Sequence, residues 1–242
     1  MMNPFIFELI PGMGCVDFTG HWQPGAIFRA MQDAGEGHCR ELHLTFEELR
    51  EQGLAWVITR AHVQMDEYPT LGETITVKTW PGVTRRMFFP RNFVFEVGGK
   101  EMGRASMVYV LLDLETRTIA QPSRLKDGIP VYDIPAPLPF PGSIKNFQAE
   151  QQMIQHKPIY MDVDMNGHVN NTRYVDWFMN AIPLEKHAQE QITNLLVHFT
   201  HEITPQETIT LTMKEQEDVS VMHGMRDDTI CFSVEGTWKK RA

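Results

Sequence analysis

The sequence lacks the features of a membrane span, a disulfide framework or a nucleotide-binding loop. Its 242 residues contain no run of about 20 apolar residues, so we expect no transmembrane helix. The three cysteines, Cys15, Cys39 and Cys231, are odd in number and form no CxxC pair. This usage argues against both disulfides and a zinc site. Neither a GxxxxGKS/T nor a GxGxxG string occurs, which excludes the common phosphate cradles.

Positive charge is also scarce, with 22 Lys and Arg residues against 31 Asp and Glu and a net charge of −9. That balance disfavours generic binding to nucleic acid. Residues 1–15 lack the basic segment of a signal peptide, include Glu8 in their apolar run, and show no Arg- and Ser-rich transit character. We therefore expect a cytoplasmic protein that neither spans a membrane nor binds nucleic acid.

Proline is concentrated in the middle of the chain. Residues 127–150 hold five prolines: Pro130, Pro135, Pro137, Pro139 and Pro141. Proline fixes φ and lacks an amide donor, so this stretch cannot be a central strand or a helix interior. We interpret 131–150 as an extended linker between an N-terminal domain, 1–130, and a C-terminal domain, 151–242.

The two halves repeat each other. The string VDFTGHWQPGAIFRAMQDA (16–34) aligns without a gap on VDMNGHVNNTRYVDWFMNA (163–181), so that Asp17 matches Asp164 and His21 matches His168, 147 residues apart. The apolar positions keep the same phase in both strings. A weaker echo links GETITVKT (72–79) to QETITLTM (206–213). These matches predict an internal duplication.

Each half has one clear helix followed by strands. In the second half an apolar stripe of period 3.6 predicts a helix that Asn170 or Asn171 caps and Pro183 ends. The remaining segments are rich in β-branched and aromatic residues, with a hairpin turn at Gly98–Gly99. Residues 38–54 predict a further short helix whose Thr45 and Glu48 resemble a capping box.

One long helix and several antiparallel strands in each half define an α+β protein. The economical packing wraps each sheet around its own helix and pairs the two sheets side by side. We therefore predict two tandem hot-dog domains.

The stretch DVDMNGHVNNTRYVDW (162–177) places Asp164, Asn166 and His168 just before the second helix. A lone Asp or Asn at such a position is usually a helix cap, and a lone His is usually structural. A helix start also offers unpaired N–H groups, here at 168–171, and a positive dipole end that suits an oxyanion. The nearby His198 and His201 lack metal-ligand spacing, so we expect neither a metal nor a cofactor.

The same stretch closely resembles the D-x-N-x-H-V-N-N-x-K/R-Y-x-x-W signature of the acyl-acyl carrier protein (acyl-ACP) thioesterases. The string WVITRAHVQMDEYPTLGETITVKTW (56–80) is similar to the first-domain segment of these enzymes. The resemblance implies tandem hot-dog domains and hydrolysis of acyl-ACP thioesters to free fatty acid. It also implies that the catalytic residues are Asp164, Asn166, His168 and Glu202.

Each of the four residues has an expected role. Glu202, as a partly buried carboxylate, would deprotonate an attacking water, and His168 would share that duty or position the carbonyl. Asn166 would hold the water or the substrate, and Asp164 would orient Asn166 or His168. Plant members often have a cysteine after the Glu, and here Ile203 takes that place, which favours direct attack by water.

The first half keeps Asp17 and His21 but has Thr19 at the position of Asn166. We interpret it as a decayed site whose domain helps to form the acyl pocket. The alignment leaves open whether Asp66 or Glu67 occupies the position of Glu202.

The implied partner is an acidic acyl carrier protein. Because this chain is itself negative, docking would need a local basic surface. Two basic clusters are candidates, Arg85–Arg86–Arg91 and Lys239–Lys240–Arg241.

Two alternatives stay open at this point: an acyl-coenzyme A thioesterase of the same fold, and a non-catalytic acyl-binding module. The protein is expected to be either a monomer of two hot-dog domains or a homodimer. The preferred length of the acyl chain depends on pocket depth and is not readable from the sequence.

Overall fold

The computed structural model describes residues 2–144 and 151–241, and the chain divides into two compact units. The first unit comprises Met1–Ala61 and Asp66–Pro141, and the second comprises His62–Met65 and Gly142–Ala242. No helix of the described residues is both long and apolar enough to cross a membrane.

The first unit wraps five strands around one long helix. Its elements in chain order are β1 (Phe5–Leu9), α1 (Pro24–Glu41), α2 (Phe46–Glu51), β2 (Leu54–Met65), β3 (Ile75–Pro81), β4 (Phe89–Val97) and β5 (Lys100–Asp113). The strand order is β1-β3-β4-β5-β2, and the pairs β1–β3, β3–β4 and β4–β5 are antiparallel. The hairpin between β4 and β5 turns at Gly98–Gly99, as predicted.

Helix α1 is held by its apolar face. Pro24 occupies its first position, where a missing N–H is harmless and the fixed φ suits a helix. Ile27, Phe28 and Met31 are almost completely buried and lie at helical spacing. Together with Phe93 and Phe95 of β4, equally buried, they form the core of this unit.

The short helix α2 begins with the predicted capping box. The side chain of Thr45 accepts from the Glu48 N–H, and the Glu48 carboxylate accepts from the Thr45 N–H at 2.9 Å. Because α1 continues to Glu41, the first residues of the predicted helical segment 38–54 belong to α1. The buried Leu49 anchors α2 in a separate apolar cluster with Leu111.

The proline-rich segment packs on the first unit over part of its length. The Tyr132 hydroxyl lies 2.9 Å from His38 Nε2, and the Phe140 ring lies against Phe88 and under the guanidinium of Arg85. Residues 145–150 of the predicted linker 131–150 lie outside the described residues, and the linker boundaries stay a prediction.

The second unit has the same plan. Its elements are β6 (Gln151–His156), α3 (Asn171–Ala181), α4 (Leu184–Gln189), β7 (Glu190–Phe199), β8 (Ile209–Gln216), β9 (Val219–Arg226) and β10 (Thr229–Lys240). The antiparallel strand order is β7-β10-β9-β8-β6. A long helix wrapped by an antiparallel sheet is the hot-dog arrangement, so the predicted α+β tandem hot-dog fold is confirmed.

Helix α3 shows the predicted cap and core. The Asn170 side chain accepts from the Thr172 N–H at 2.9 Å, and the helix ends at Ala181, two residues before Pro183. The Tyr174 ring stacks on Phe232 of β10 with centroids 4.2 Å apart and planes 5° apart. Burial raises the pKa of the Tyr174 phenol, which keeps it neutral in the core.

The duplication extends to the secondary structure. A single-turn 3-10 helix precedes each long helix, at Met13–Cys15 and at Tyr160–Asp162. Helices α1 and α3 begin at Pro24 and Asn171, which keep the 147-residue offset. Strands β3 and β8 begin at Ile75 and Ile209, only 134 residues apart. The second unit is therefore shorter between its long helix and this strand.

The stacking of Tyr174 on Phe232 requires a glycine at position 224. Gly224 of β9 pairs with Phe232, and a Cβ built on it would lie 1.9 Å from Phe232 Cε1. We expect Gly224→Ala to destabilise the protein by about 1–3 kcal/mol because the ring must leave its place. The melting temperature should then fall by roughly 2–4 °C for each kcal/mol lost.

Gly12→Ala is the matched control, because a Cβ there meets nothing within 4 Å. In thermal unfolding, Gly224→Ala should therefore have a lower melting temperature than both the wild type and Gly12→Ala. Equal melting temperatures would show that the Phe232 ring is not confined as described.

Candidate active site

A five-residue loop, Asp164–His168, carries three of the four predicted site residues. The Asp164 N–H donates to the His168 carbonyl at 2.9 Å, and the Gly167 N–H donates to the Asp164 carbonyl at 3.0 Å. Asp164 Oδ1 accepts from the N–H of Asn166 at 2.8 Å and from the N–H of His168 at 3.4 Å. Gly167 has φ +79°, which glycine adopts without strain. Asp164 thus holds Asn166 and His168 through their backbone.

Backbone hydrogen bonds place this loop beside the end of a neighbouring strand. The Val169 N–H donates to the Ile203 carbonyl at 2.8 Å, just beyond the end of β7. As a result His168 Nε2 lies 3.4 Å from Glu202 Oε2. The structure therefore brings together the histidine and the carboxylate that the resemblance implied.

The His168–Glu202 pair faces solvent. The side chains are 35% and 47% exposed, and Asn166 on the same loop is also exposed. The expectation of a partly buried Glu202 is wrong for the free protein, because Glu202 lies in the short segment that follows β7. Both groups are accessible to water and to an incoming substrate.

The predicted set of free N–H groups at 168–171 is also largely wrong. The N–H groups of His168, Val169 and Asn170 donate to Asp164 Oδ1, to the Ile203 carbonyl and to the Asp162 carbonyl. Of these four residues, only Asn171, half-buried at the first position of α3, has an N–H that donates to no group in the described part of the chain. One backbone donor thus remains for an oxyanion.

The turn that follows Glu202 is fixed by Glu207. Glu207 accepts from the Thr204 N–H at 2.7 Å and from Arg226 Nη1 at 2.6 Å. Burial raises the pKa of Glu207, but the hydrogen bonds from Thr204 and Arg226 outweigh it and hold that pKa below its usual value. The ionised Glu207 therefore anchors the segment on which Glu202 lies.

No activated thiol occupies the place of the plant cysteine. Ile203 stands there and is completely buried. The Cys231 thiol is buried, and burial raises its pKa, as it does for Cys39. A raised thiol pKa reduces the reactive thiolate, which argues against Cys39 and Cys231 as nucleophiles.

The first unit contains the same loop with different side chains. Asp17 Oδ1 accepts from the N–H of Thr19 at 2.8 Å and from the N–H of His21 at 3.2 Å, as Asp164 does in the second unit. The Thr19 hydroxyl lies 2.6 Å from Asp17 Oδ1 and 2.9 Å from His21 Nδ1. The backbone of the loop is therefore the same in both units, although its side chains differ.

Neither Asp66 nor Glu67 is the counterpart of Glu202. The Trp22 N–H donates to the Pro69 carbonyl at 2.8 Å, which repeats the bond from Val169 to Ile203 and makes Tyr68 the counterpart. Asp66 instead pairs with Arg104, and Glu67 pairs with Lys100. The 134-residue offset between GETITVKT and QETITLTM also pairs Glu202 with Tyr68, so neither of the two residues considered lies at this position.

The first loop also lacks the free backbone donor. Pro24 takes the place of Asn171 and has no N–H. With Tyr68 in place of the carboxylate and Thr19 in place of the amide, the first unit differs at three of the groups that we consider chemically relevant. These differences support its interpretation as a decayed site.

The basic cluster Arg85–Arg86–Arg91 is not a single surface. Arg91 is only 8% exposed, and its Nη1 lies 2.9 Å from Nδ1 of the buried His38. Burial, together with the Arg91 charge, lowers the pKa of His38 to about 4. Arg85 and Arg86 are exposed, as are Lys239 and Lys240. Arg91 therefore belongs to the core of the first unit and not to a docking surface.

Fold and site together define a tandem hot-dog protein whose second unit presents an accessible His–Glu pair beside the start of its long helix. Within the described ranges, no group of three or more His, Cys, Asp or Glu side chains could hold a metal ion. The sequence-family model of the acyl-ACP thioesterase N-terminal domain matches residues 12–127, and the family model of the C-terminal domain matches residues 145–240. The chain belongs to the acyl-ACP thioesterase family.

Named relatives agree with this assignment. The chain is 30% identical to oleoyl-acyl carrier protein thioesterase 1 of Arabidopsis thaliana over 66% of its own length and 49% of the relative. It is 27% identical to the palmitoyl-acyl carrier protein thioesterase of Gossypium hirsutum over 73% of its length and 46% of the relative. The chain thus spans about half the length of these chloroplastic relatives.

Solved structures share the fold. An acyl-ACP thioesterase from Bacteroides thetaiotaomicron superposes with a TM-score of 0.90, at 24% identity and 97% coverage of both chains. The 12:0-ACP thioesterase of Umbellularia californica superposes with a TM-score of 0.82, at 19% identity and complete coverage of both chains.

The difference between the two loops predicts unequal roles for their histidines. We expect His168→Ala to lower the turnover of an acyl-ACP thioester by at least ~100-fold, the scale for loss of a positioned acid–base group. His21→Ala should cost far less, because Tyr68 and Pro24 leave that loop without the carboxylate and the donor. Steady-state kinetics of both variants measure this. Equal losses would show that both loops contribute chemistry.

Proposed function

We propose that this protein hydrolyses acyl-ACP thioesters and releases free fatty acids. The observation that carries the proposal is the solvent-accessible pair of His168 and Glu202, 3.4 Å apart, next to the start of α3. Membership of the acyl-ACP thioesterase family supports the same substrate class.

In the proposed reaction, Glu202 accepts a proton from a water molecule as the water oxygen attacks the thioester carbonyl carbon. His168, within reach of the same carboxylate, shares this proton or positions the carbonyl. A C–O bond forms and the C–S bond breaks. The leaving thiolate needs little help, because a free thiol has a pKa of about 8.5. The proton taken up by Glu202 or His168 then passes to the thiolate sulfur, so the products are a carboxylic acid and the pantetheine thiol and the carboxylate is regenerated.

The oxyanion of the tetrahedral intermediate needs hydrogen-bond donors. We assign this role to the N–H of Asn171, supported by the positive end of the α3 dipole and by the exposed amide of Asn166. A single donor of this kind contributes on the order of 3 kcal/mol to transition-state stabilisation.

Asp164 acts on the reaction through the loop. Its carboxylate accepts from the backbone N–H groups of Asn166 and His168. It therefore fixes the backbone positions of these two residues, from which their side chains extend. The first unit, without a comparable set of groups, is assigned to holding the acyl chain.

The proposed partner is an acyl carrier protein. Such proteins are acidic, and this chain carries −9, so the net charges repel at long range. Docking therefore requires a local basic surface, for which the exposed Arg85 and Arg86 or the exposed Lys239 and Lys240 are the candidates.

Thiol release from acyl-ACP and acyl-coenzyme A substrates, measured side by side, tests the function. We expect release from acyl-ACP with the higher kcat/KM, and a loss of at least ~100-fold in Glu202→Gln because the base is removed. A higher kcat/KM on acyl-coenzyme A would favour the coenzyme A thioesterase instead. Binding of acyl substrates without any thiol release would favour a non-catalytic acyl-binding module.

The role of the Asn171 N–H has its own test. Proline at this position removes the N–H, and Pro24 demonstrates that the same loop and helix accept it. The preceding residues, Asn170 (φ −62°, ψ 133°) and Gln23 (φ −69°, ψ 142°), already share the backbone conformation that proline requires before it. We expect Asn171→Pro to lower kcat by about 100-fold, the scale for one oxyanion donor.

Asn171→Ala is the matched control, since it removes the side chain and keeps the N–H. Its kcat should stay within about threefold of the wild-type value. Equal kcat values for the two variants would rule out the Asn171 N–H as the oxyanion donor.

A further inference from the structure

A buried carboxylate lies in the turn that precedes the Asp164–His168 loop, and nothing in the mechanism above uses it. Asp162 is 5% exposed, and its Oδ1 accepts from the indole N–H of Trp177 at 3.3 Å. Its Oδ2 accepts from the Ile159 N–H at 2.9 Å and lies 3.7 Å from His156 Nε2. The His156 ring packs on Trp177 with centroids 4.2 Å apart. We call His156, Asp162 and Trp177 the Asp162 cluster.

The first unit forms the same turn without this cluster. The Asp162 N–H donates to the Ile159 carbonyl and the Cys15 N–H donates to the Gly12 carbonyl, both at 2.9 Å. The Asn170 N–H donates to the Asp162 carbonyl at 2.8 Å, and the Gln23 N–H donates to the Cys15 carbonyl at 2.9 Å.

The side chains at the matching positions are apolar or weakly polar. At the 147-residue offset, Asp162, His156 and Trp177 correspond to Cys15, Leu9 and Ala30. The turn therefore does not need the carboxylate in order to form.

A buried carboxylate opposes folding unless its hydrogen bonds compensate for the lost hydration. The second unit nevertheless has one at this turn, where the first unit has Cys15. The second unit is also the one with the His–Glu pair and the free Asn171 N–H. The carboxylate therefore occurs together with the proposed catalytic groups, whereas the turn itself occurs in both units.

The contacts of Asp162 indicate what it does. Its carbonyl binds the N–H of Asn170, the cap of α3, and its carboxylate binds Trp177 two turns into the same helix. The residue thus fastens α3 at two points to the turn that leads into the Asp164–His168 loop. We propose that Asp162 is a positioning residue that fixes the Asn171 N–H relative to His168.

This inference rests on the proposed function of the site, and it predicts a particular kinetic signature. A donor that stabilises the transition state must be held within about 0.5 Å of its productive position. A small displacement of α3 weakens an interaction that exists only in the transition state, so kcat falls while KM is retained.

Asp162→Cys is the variant of choice, because Cys15 occupies the same backbone position in the first unit. We expect its kcat on acyl-ACP to be at least about tenfold lower, with KM within about twofold of the wild-type value. Cys15→Ala, at the equivalent place in the first unit, is the control and should keep the wild-type kcat.

A double-mutant cycle with Asn171→Pro separates positioning from simple destabilisation. Once the N–H is removed, Asp162→Cys should lower kcat by less than about twofold further, because the group that it positions is absent. Losses that multiply, or a single Asp162→Cys variant with wild-type kcat, would overturn the proposal. If Asp162→Cys does not fold, Asp162→Asn replaces it, since it keeps the size and one acceptor. Wild-type kcat in that folded variant would be equally decisive.

Amide hydrogen exchange gives a readout that does not depend on the proposed activity. The α3 start, 169–173, should exchange at least about tenfold faster in Asp162→Cys, with the other core amides unchanged. Unchanged exchange at 169–173 would overturn the positioning role. Failure of the proposed function would be recognised separately, as an absence of thiol release by the wild-type protein.

Discussion

The hydrogen bond from the Val169 N–H to the Ile203 carbonyl is the constraint on which the candidate site depends. It joins the loop before α3 to the segment after β7 and so brings His168 to Glu202, which are far apart in the sequence. The equivalent bond in the first unit joins Trp22 to Pro69. Because this bond is made by backbone atoms, it does not depend on which side chains lie beside it. The loop therefore has the same backbone arrangement in both units, while the side chains that it carries differ.

The sequence led to a set of candidate site residues but not to their surroundings. The repeated strings and the family signature led to Asp164, Asn166, His168 and Glu202, and the structure places the last two in contact range. The exposure of Glu202 and the use of the N–H groups before Asn171 depend on bonds to Ile203 and Asp162. The bond to Ile203 joins distant parts of the chain and the bond to Asp162 closes an irregular loop, so no helix or strand pattern reveals them.

Asp162 was missed although a signal existed. Extending the aligned repeat by one residue toward the N-terminus pairs Asp162 with Cys15, a charged residue with an uncharged one directly before the shared Val-Asp. Local reasoning treats an acidic residue before a helix as a solvated cap. Only the tertiary packing of Trp177 and His156 makes this carboxylate a buried one.

The fold was predicted where a regular pattern spans several turns or a hairpin. The long helices, the Thr45 capping box and the Gly98–Gly99 turn follow from such patterns. Strands β1 and β6 are short, and β9 contains His223–Gly224, so none of the three has a strong sequence pattern for a strand. Arg91 was assigned to the surface by its charge, but strand alternation places it on the α1 side with the buried Phe93.

The preserved loop of the first unit makes this chain a template for its own redesign. Three exchanges, Thr19→Asn, Pro24→Asn and Tyr68→Glu, would give the first loop the amide, the backbone donor and the carboxylate of the second. The backbone that must carry them already exists, with the same hydrogen bonds at nearly the same lengths. The first unit thus offers a folded loop of the required backbone conformation, into which a second set of the same groups can be introduced by substitution.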